Sequence, residues 1–398
     1  MNILKKIYCR TFQASFKLAL PILPYTTPKI LNKVEELPEE FLKRKINRVM
    51  LVTDSGLRAI TAKLEELLPE KGIICFVYDG TEANPKVSNV EEALKIYKEQ
   101  KCQGLIAFGG GSSMDLAKAL GARVVYPKKT LNQMKGILKI HKSLPFLAAI
   151  PTTAGTGSEV TLASVITDDK THYKYAINSF PLIPKVAVLD AKVTFTLPKS
   201  LTASTGMDAL THAVEAYIGG STTSQTRRWA KDAVTLIFQN ILTAYNEPEN
   251  AKARENMLIA SNYAGSAFSQ SYVGYVHAVA HSLGGAYNIP HGLANSVLLP
   301  IVLKEYGKAA WKKLSQLSVL VGLADKKESI ESAANKFIDA IKDLNKKLGI
   351  PETLKGIKEE DIPELSRRAD KEANPLYPVP VLWNAKELEK FYYKVMEK

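Results

Sequence analysis

Cysteine is scarce in this sequence: Cys9, Cys75 and Cys102 are the only three among 398 residues. An odd number of cysteines at long and irregular spacings argues against a disulfide framework and against a zinc site built from thiolates. We therefore expect a reducing compartment and a cytoplasmic location. The sequence also lacks an uncharged run of about 18 residues, the length typical of a transmembrane helix, so no membrane partner is expected.

Acidic residues are in deficit, because 40 Asp and Glu stand against 53 Lys and Arg and leave a net charge of +13. The basic residues are mostly interleaved with acidic ones, as in residues 39–44, and do not form the block typical of a nucleic-acid binder. Nucleic acid is therefore not an expected partner, and a non-enzymatic basic binding protein is the least favoured class. With 46% hydrophobic residues the chain can bury a core, which excludes intrinsic disorder.

The N-terminal residues have some features of a signal or anchor segment. Basic residues at positions 5, 6 and 10 precede an apolar stretch, but Lys17 interrupts that stretch. Pro21 and Pro24 would then break a helix. We therefore expect a peripheral N-terminal arm.

The pattern of the chain changes near Pro198. Before it, short apolar runs rich in β-branched residues alternate with segments that have apolar residues at every third or fourth position, which is typical of βαβ units in a parallel sheet. The predicted strands are residues 49–53, 73–77, 104–108, 146–150 and 186–189, with helices at 57–68 and 90–97. After Pro198 only helical patterns remain, at 208–218, 230–245, 251–268 and 329–348. The sequence therefore predicts an α/β domain over residues 1–197 and an all-α domain over residues 198–398.

A run of three glycines, Gly109-Gly110-Gly111, follows the third predicted strand and opens a helical pattern. Glycine lets the backbone approach an anion closely, and the free N–H groups of a helix start bind phosphate. The run is not the usual dinucleotide fingerprint, because Met114 stands where its third glycine belongs, and it is not a P-loop, because no Gly-Lys-Ser follows. Taken alone, it fits a ligand loop and a tight turn equally well.

Two further features favour a nucleotide. Asp54 ends the first predicted strand, where a carboxylate either accepts a hydrogen bond from a ribose hydroxyl or caps a helix. A second loop, residues 151–158, is rich in small and hydroxyl-bearing side chains and follows the fourth predicted strand. Ligands bind at the carboxyl ends of parallel strands, so the two loops together predict a nucleotide site.

Histidine is rare and unevenly distributed, since four of the six histidines fall in two short windows together with one carboxylate. Asp208 and His212 are four residues apart on a predicted helix and therefore lie on one face. His277 and His281 have the same spacing, and His291 follows ten residues later. One carboxylate with several imidazoles suits Zn²⁺, Fe²⁺ or a related divalent metal. The spacing predicts a metal site but leaves open which three of the four histidines bind.

Four segments appear in an order that belongs to a known family. They are Gly109-Gly110-Gly111-Ser112-x-x-Asp115-x-Ala117-Lys118, residues 151–159, Met207-Asp208-Ala209-Leu210-Thr211-His212, and His277-x-x-x-His281-x-Leu283-Gly284 with Pro290-His291-Gly292. Taken together they resemble the iron-containing (group III) alcohol dehydrogenases, from Arg48 to Pro300 and more loosely at Asn374-Pro375. The resemblance implies an α/β dinucleotide-binding domain with a parallel sheet and an all-α metal-binding, catalytic domain, the dehydroquinate synthase-like fold.

The resemblance also implies roles for individual residues. It implies that the metal ligands are Asp208, His212, His277 and His291. His281 is similar to a cleft histidine that does not ligate, and it would relay a proton, orient the nicotinamide ribose or serve in packing alone. The residues that match nucleotide-contacting positions are Asp54, Asn84, Gly110, Gly111, Ser112, Thr152, Thr153, Thr156, Val165, Lys174 and Leu189.

The implied activity is hydride transfer between NAD(H) and a primary alcohol or aldehyde, assisted by Fe²⁺, Zn²⁺ or another divalent transition metal. NAD is favoured over NADP because a carboxylate at Asp54 would repel a 2′-phosphate. A homodimer acting on a small-molecule substrate is expected. The alternatives within this architecture are a zinc-dependent polyol dehydrogenase and a metal- and NAD-dependent lyase of the dehydroquinate synthase kind. Residues 278–286 offer no Lys or Arg to anchor the substrate of such a lyase.

Overall fold

The computed structural model describes residues 1–170 and 173–397. It divides the chain into two compact units, one formed by Pro24–Leu197 and the other by Met1–Leu23 together with Pro198–Lys398. We call them the α/β unit and the helical unit. The expectation that residues 1–197 form one domain is therefore wrong for the first 23 residues, which belong to the helical unit.

The helices and strands of the described residues are numbered in chain order. The α-helices are α1 (Ile3–Ala19), α2 (Leu37–Leu42), α3 (Arg58–Glu70), α4 (Val87–Glu99), α5 (Gly111–Val125), α6 (Leu131–Met134), α7 (Lys199–Ile218), α8 (Ser224–Asn246), α9 (Ala251–Ser271), α10 (Tyr275–Tyr287), α11 (His291–Tyr306), α12 (Lys308–Leu320), α13 (Ile330–Lys347), α14 (Ile362–Ala373) and α15 (Ala385–Val395). The strands are β1 (Lys29–Leu31), β2 (Arg48–Val52), β3 (Ile74–Tyr78), β4 (Gly104–Gly109), β5 (Gly136–Ile137), β6 (Phe146–Pro151), β7 (Ala163–Thr167), β8 (Lys174–Asn178) and β9 (Val186–Val188).

The α/β unit is built on a six-stranded sheet in the order β1-β9-β6-β4-β2-β3, and every pairing in it is parallel. Residues of the central strand β4 alternate between two cores, with Leu105 and Ala107 in one and Ile106 and Phe108 in the other. A parallel sheet buried on both faces has nearly continuous apolar strands, which is the pattern that predicted β2, β3, β4, β6 and β9.

A second sheet of three strands, in the order β5-β8-β7, belongs to the same unit and was not predicted. β7 and β8 are antiparallel, with Val165 opposite Ala176, whereas β5 and β8 are parallel. β5 has only two residues, so no periodic pattern can indicate it.

The helical unit has no strand among its described residues, as expected after Pro198. Its central helix α7 is buried all round over residues 206–218, so the polar residues of this stretch lie inside the unit. Pro198 precedes the helix, and Gly219 follows its last residue. In the described part of the chain, none of the helices combines the length and apolarity needed to span a membrane.

The N-terminal segment differs from the peripheral arm expected from the sequence. Residues 3–19 form α1, and Cys9 and Gln13 on one of its faces are buried in the helical unit, with exposed fractions of 1% and 5%. Arg10 donates to the carbonyl of Val379 at 2.7 Å. These contacts are the physical reason that the segment belongs to the helical unit, although the prolines do end the helix at Ala19 as predicted.

Candidate active site

Four of the predicted site residues meet where three helices of the helical unit come together. Asp208 and His212 lie one turn apart on α7. His277 is in the first turn of α10, and His291 is the first residue of α11. One nitrogen or carboxylate oxygen from each residue lies within 4.8 Å of the others, and we call this group the Asp208 cluster.

The side chains of the Asp208 cluster are already close enough to share one ion. His291 Nε2 lies 3.5 Å and His277 Nε2 3.8 Å from the same oxygen, Asp208 Oδ1. The rings of His212 and His277 stack at 4.4 Å between centroids, and Phe268 stacks on His212 at 4.2 Å. Asp208 and His277 are each 2% exposed but the His291 side chain is 37% exposed, so the cluster opens to solvent beside His291.

A buried carboxylate holds His277 in one orientation. Glu215 lies on α7 and accepts hydrogen bonds from the backbone N–H groups of Gly274 at 2.8 Å and Val276 at 2.9 Å. Its Oε2 lies 2.6 Å from His277 Nδ1. Burial raises the pKa of Glu215 to about 7, and the backbone N–H groups oppose this rise. Since Glu215 accepts from Nδ1–H, the Nε2 lone pair of His277 is directed towards Asp208.

The charge states of the histidines favour a bound cation. Burial and the neighbouring histidines lower the pKa of His277 well below its ordinary value. Burial also lowers the pKa of His291, although Asp208 opposes this change. Both imidazoles are therefore neutral at neutral pH, and His277 Nε2 is buried without a hydrogen-bond partner. A buried lone pair next to a buried carboxylate is the environment that a divalent metal fits.

The start of α11 is packed tightly against α7, which brings His291 to the cluster. A side chain at Gly292 would place its Cβ 2.4 Å from the carbonyl oxygen of Ser204, so only glycine fits there. One turn later, the amide of Asn295 donates to Asp208 Oδ1 at 2.6 Å and lies 3.0 Å from His291 Nε2. Asn295 therefore orients the carboxylate that the histidines face.

His281 lies beside the Asp208 cluster but is not one of its four members. Its ring stacks on that of His291 at 4.9 Å between centroids, and it makes an edge contact with His277 at 5.9 Å. Its Nδ1 lies 2.6 Å from Glu372 Oε1 on α14. The three histidines whose ring nitrogens lie within 4.8 Å of one another and of Asp208 are His212, His277 and His291.

The two predicted nucleotide loops are neighbours in the α/β unit. β4 ends at Gly109, where the φ of +151° and the clash that a Cβ would make with the Ser113 side chain both favour glycine. Gly109 accepts a backbone hydrogen bond from Thr152 at 3.0 Å. The Thr156 side chain lies 3.1 Å from the position of a Cβ on Gly111, the first residue of α5. Backbone N–H groups of a long helix and threonine hydroxyls therefore face the same edge of the sheet, as an anion site requires.

The remaining predicted nucleotide residues are distributed around this edge. Asp54 follows β2 and caps the next turn by accepting from the Gly56 N–H at 3.0 Å. Leu189 follows β9 and is buried, so the ends of β2, β4, β6 and β9 each carry a predicted residue. The others are placed as follows: Gly110 caps α5, Ser112 is in its first turn, Thr153 lies against Gly110, Val165 on β7 donates its N–H to Asp115, Lys174 begins β8, and Asn84 has a positive φ and accepts from Thr167.

Sequence reasoning did not single out Glu215, Asn295 or Glu372. Helical spacing could have indicated two of them. Glu215 lies seven residues after Asp208 and therefore on the same face of α7, and Asn295 lies one turn after His291. No local pattern could have indicated Glu372, since it lies 91 residues from His281 in the sequence.

Two family models match the chain. The model for iron-containing alcohol dehydrogenase matches residues 30–191, and that for the C-terminal part of the Fe-containing alcohol dehydrogenase family matches residues 202–396. In sequence, the chain is similar to 1,3-propanediol dehydrogenase of Klebsiella pneumoniae, with 41% identity over 365 residues that cover 90% of this chain and 93% of the relative.

Solved structures are also similar. A crystal structure of 1,3-propanediol oxidoreductase has a TM-score of 0.90 and 37% identity, covering 93% of this chain and 99% of the other. Sulfoacetaldehyde reductase from Bifidobacterium kashiwanohense, solved in complex with NAD⁺, has a TM-score of 0.82 and 29% identity, covering 93% and 98%. The similarity therefore extends over nearly the whole chain in both sequence and structure.

Proposed function

The chain belongs to the iron-containing alcohol dehydrogenase family. We propose that the Asp208 cluster is the metal site at which the chain interconverts a small primary alcohol and the corresponding aldehyde. The chain is an oxidoreductase of alcohols and aldehydes linked to a nicotinamide nucleotide, and it uses a divalent metal. The family match sets aside the lyase and the basic binding protein.

The observation that carries the metal assignment is the convergence of Asp208, His212, His277 and His291 within 4.8 Å. The buried Nε2 of His277, which has no hydrogen-bond partner, supports it. When bound there, a divalent ion supplies Lewis acidity at a substrate hydroxyl or carbonyl oxygen. One carboxylate and three imidazoles suit Fe²⁺ and Zn²⁺, and we propose Fe²⁺ as the ion used.

The protein residues prepare this chemistry in three ways. Glu215 fixes the tautomer of His277, and Asn295 orients the Asp208 carboxylate, so the ligand atoms are arranged before an ion binds. Phe268 stacks on one face of His212 and so fixes the plane of that ring. The side chain of His281 is 43% exposed. In this proposal it accepts a hydrogen bond from the substrate hydroxyl or passes the proton of that hydroxyl to solvent.

For the nucleotide we propose NAD, bound with its phosphates at the start of α5. When bound, the nicotinamide accepts or supplies the hydride. Support for phosphate binding comes from Gly110, Gly111 and Thr156 at the helix start. Support for NAD over NADP comes from Asp54, whose Oδ1 caps Gly56 and whose carboxylate charge would repel a 2′-phosphate. The homodimer and the cytoplasmic location stay predictions.

The test is an assay of NADH oxidation by the purified protein, loaded separately with Fe²⁺ and Zn²⁺ under anaerobic conditions. Butanal and lactaldehyde are the aldehydes, and 1,3-propanediol with NAD is the reverse reaction. We expect turnover that requires metal, is higher with Fe²⁺ and is higher with NADH than with NADPH. Full turnover after exhaustive chelation would contradict the metal assignment.

A further inference from the structure

The N-terminal helix α1 lies outside the part of the chain that matches the alcohol dehydrogenase family. The family models match residues 30–191 and 202–396, whereas α1 ends at Ala19. The activity proposed above therefore gives α1 no role, and the role of its two faces follows from their own contacts and exposure.

One face of α1 is fixed on the helical unit. Cys9 and Gln13 are buried there, with exposed fractions of 1% and 5%. The side-chain amide of Gln13 donates to the carbonyl of Tyr377 at 2.7 Å, and Arg10 donates to that of Val379 at 2.7 Å. These contacts set the rotation of the helix about its axis, so the opposite face is on the outside of the unit.

The opposite face of α1 is apolar and exposed. Positions 4, 7, 11, 14, 15 and 18 follow the spacing that places side chains on one face of a helix, and positions 3 and 8 border that face. None of these residues is charged. The large apolar ones, which we call the α1 stripe, have high exposed fractions: Ile3 72%, Leu4 75%, Ile7 58%, Tyr8 60% and Leu18 80%. A contiguous apolar surface, unlike a single exposed residue, indicates an interaction site.

The charges of the N-terminal segment all have one sign. Residues 1–34 contain no Asp or Glu, and α1 carries Lys5, Lys6, Arg10 and Lys17. Lys6 and Lys17 are exposed and lie about three turns apart, so they are on the same side of the helix, next to the α1 stripe. An exposed apolar face bordered by cations is typical of a helix that lies in the interface of an anionic membrane.

This mode of contact differs from a membrane span. A span needs a long helix that is apolar all round, and none of the described helices has that length and apolarity. A helix that lies parallel to the surface needs apolar side chains on one face only. The lack of a long uncharged run therefore argues against insertion through a membrane but not against contact with its surface.

A second copy of the chain fits the α1 stripe less well. α1 has 17 residues and is about 25 Å long and about 10 Å wide, so its outer face covers on the order of 250 Å². A stable interface between proteins buries about 800 Å² of each partner. Two stripes packed together would also bring the lysines of both copies close, with no acidic residue on either α1 to pair with them.

We propose that the α1 stripe is a docking surface for a membrane rich in anionic phospholipid. α1 lies parallel to the membrane, its apolar side chains enter the headgroup region, and Lys6 and Lys17 pair with lipid phosphates. Because Gln13 and Arg10 fix α1 to the helical unit, the whole enzyme is held at the surface. The proposal concerns a face that carries none of the site residues, so it does not depend on the proposed function.

The test is co-sedimentation of the purified full-length protein with vesicles. One set of vesicles is phosphatidylcholine alone and the other is phosphatidylcholine mixed with phosphatidylglycerol, each at low and at high salt. We expect binding to the anionic vesicles that salt weakens, and little binding to phosphatidylcholine alone, because the lysines contribute only at a negatively charged surface.

Two double variants separate the apolar and the charged parts of the surface. Leu4→Ser/Leu18→Ser removes apolar side chains that would enter the headgroup region, and it should weaken binding to anionic vesicles by at least about tenfold. Lys6→Gln/Lys17→Gln should weaken the same binding about 30-fold, because each lysine close to an anionic surface adds to the affinity.

Each double variant has a matched control. Leu201→Ser/Leu320→Ser changes leucines of α7 and α12 that are 44% and 41% exposed, and Lys139→Gln/Lys142→Gln changes two exposed lysines of the α/β unit. Both controls should bind anionic vesicles like the wild type. An equal loss in a control and in its partner variant would overturn the proposal.

The remaining outcomes also decide the matter. No binding of the wild type to anionic vesicles, or equal binding to both kinds of vesicle, would overturn the proposal. Loss of self-association in Leu4→Ser/Leu18→Ser, measured by analytical ultracentrifugation, without vesicle binding by the wild type would assign the α1 stripe to a second copy instead. Alcohol oxidation without vesicles should be equal in the wild type and in both double variants, so failure of the docking proposal is distinguishable from failure of the proposed function.

Discussion

His277 is the most constrained member of the Asp208 cluster, because Glu215 holds one ring nitrogen and the other faces Asp208. We predict that His277→Ala removes most of the bound metal and most of the alcohol-dependent formation of NADH. The remaining ligands form a weaker and misshapen site, and loss of a ligand or its partner typically lowers metal affinity by at least about 10- to 100-fold. Metal content per chain and initial rates are the measurements.

The matched control for this variant is His141→Ala, which changes a histidine exposed to solvent outside the helical unit. It should keep metal and activity. A folded His277→Ala protein with full metal content would show that the Asp208 cluster is not the metal site.

Asp54 caps the turn at Gly56 and follows strand β2 near the nucleotide loops, so Asp54→Gly removes both the cap and the charge. We predict that Asp54→Gly shifts the ratio of kcat/KM from NAD towards NADP by about tenfold, or ~1.4 kcal/mol, since the repulsion of a 2′-phosphate is removed. Steady-state rates with both nucleotides measure the shift.

Asp54→Asn keeps the capping oxygen and removes only the charge, so it separates the two roles. It should shift the nucleotide ratio in the same direction as Asp54→Gly without the loss of stability that follows from loss of a cap. If neither variant changes the ratio, Asp54 serves only as a cap.

At the residue scale, the sequence predicted the site residues that lie four positions apart on the same helix. Asp208 with His212 and His277 with His281 were visible in this way, but the four-residue spacing could not separate His281 from the ligands. In the structure His281 differs from the other three because its Nδ1 lies 2.6 Å from Glu372, a residue on a helix that is distant in sequence. Only the tertiary fold contains that information.

At the scale of elements, Lys118 joins α5 to the segment that follows the second nucleotide loop. Its buried ammonium donates to the Ser158 hydroxyl, to the hydroxyl and carbonyl of Thr161, and to the carbonyl of Ala163, at 2.8 to 3.0 Å. Asp115, one turn earlier on α5, accepts from Ser158 and from the N–H of Val165. Lys118 and Asp115 therefore both connect α5 to the segment that follows the loop.

We predict that Lys118→Met lowers the free energy of unfolding by about 2–3 kcal/mol, because it leaves the carbonyls of Thr161 and Ala163 without this donor. It should also weaken NAD binding, since the loop loses its anchor to α5. Chemical denaturation and NADH fluorescence measure the two effects. An exposed lysine, Lys139→Met, is the control, and equal effects in both variants would contradict the anchoring role.

The same lysine gives a pH dependence with a defined sign. Burial lowers the pKa of Lys118 to about 8, against an ordinary value of 10.5, and Asp115 opposes this shift. Between these values the unfolded chain binds more protons than the folded chain, so the contribution of Lys118 to stability increases as the pH rises. Between pH 7.5 and 10, chemical denaturation should show that the free energy of unfolding of the wild type rises relative to that of Lys118→Met. If the two free energies change with pH in parallel, the prediction is wrong.

Strands were predictable from the sequence where all their residues are buried, and they were missed where the strand is short. Residues 49–53 and 104–108 were predicted as strands because they are almost entirely apolar, and the structure has strands at Arg48–Val52 and Gly104–Gly109. β1 has three residues, and its place at the sheet edge depends on pairing with β9. Such pairing has no local pattern in the sequence.

At the scale of the molecule, the chain begins in the helical unit, forms the whole α/β unit and then returns. The sequence indicated the second boundary at Pro198, because the alternation of strands and helices stops there. The sequence could not indicate the first boundary, which follows Leu23. The place of α1 in the helical unit depends on hydrogen bonds from Gln13 and Arg10 to backbone carbonyls more than 360 residues away. The Asp208 cluster and the nucleotide loops thus belong to different units.

This division predicts how ligands affect stability. The ligands of the Asp208 cluster come from α7, α10 and α11, so a metal ion links three helices of the helical unit and should raise its stability by about 2.7 kcal/mol at a concentration 100-fold above Kd. For a unit of this size, we expect the melting temperature of the wild type to rise by about 5–10 °C with Zn²⁺. His277→Ala should show little or no rise, His141→Ala should respond like the wild type, and NAD should still stabilise all three proteins because the nucleotide loops belong to the α/β unit. Calorimetry with and without each ligand measures these shifts, and an equal response to Zn²⁺ in His277→Ala would mean that the ion binds elsewhere.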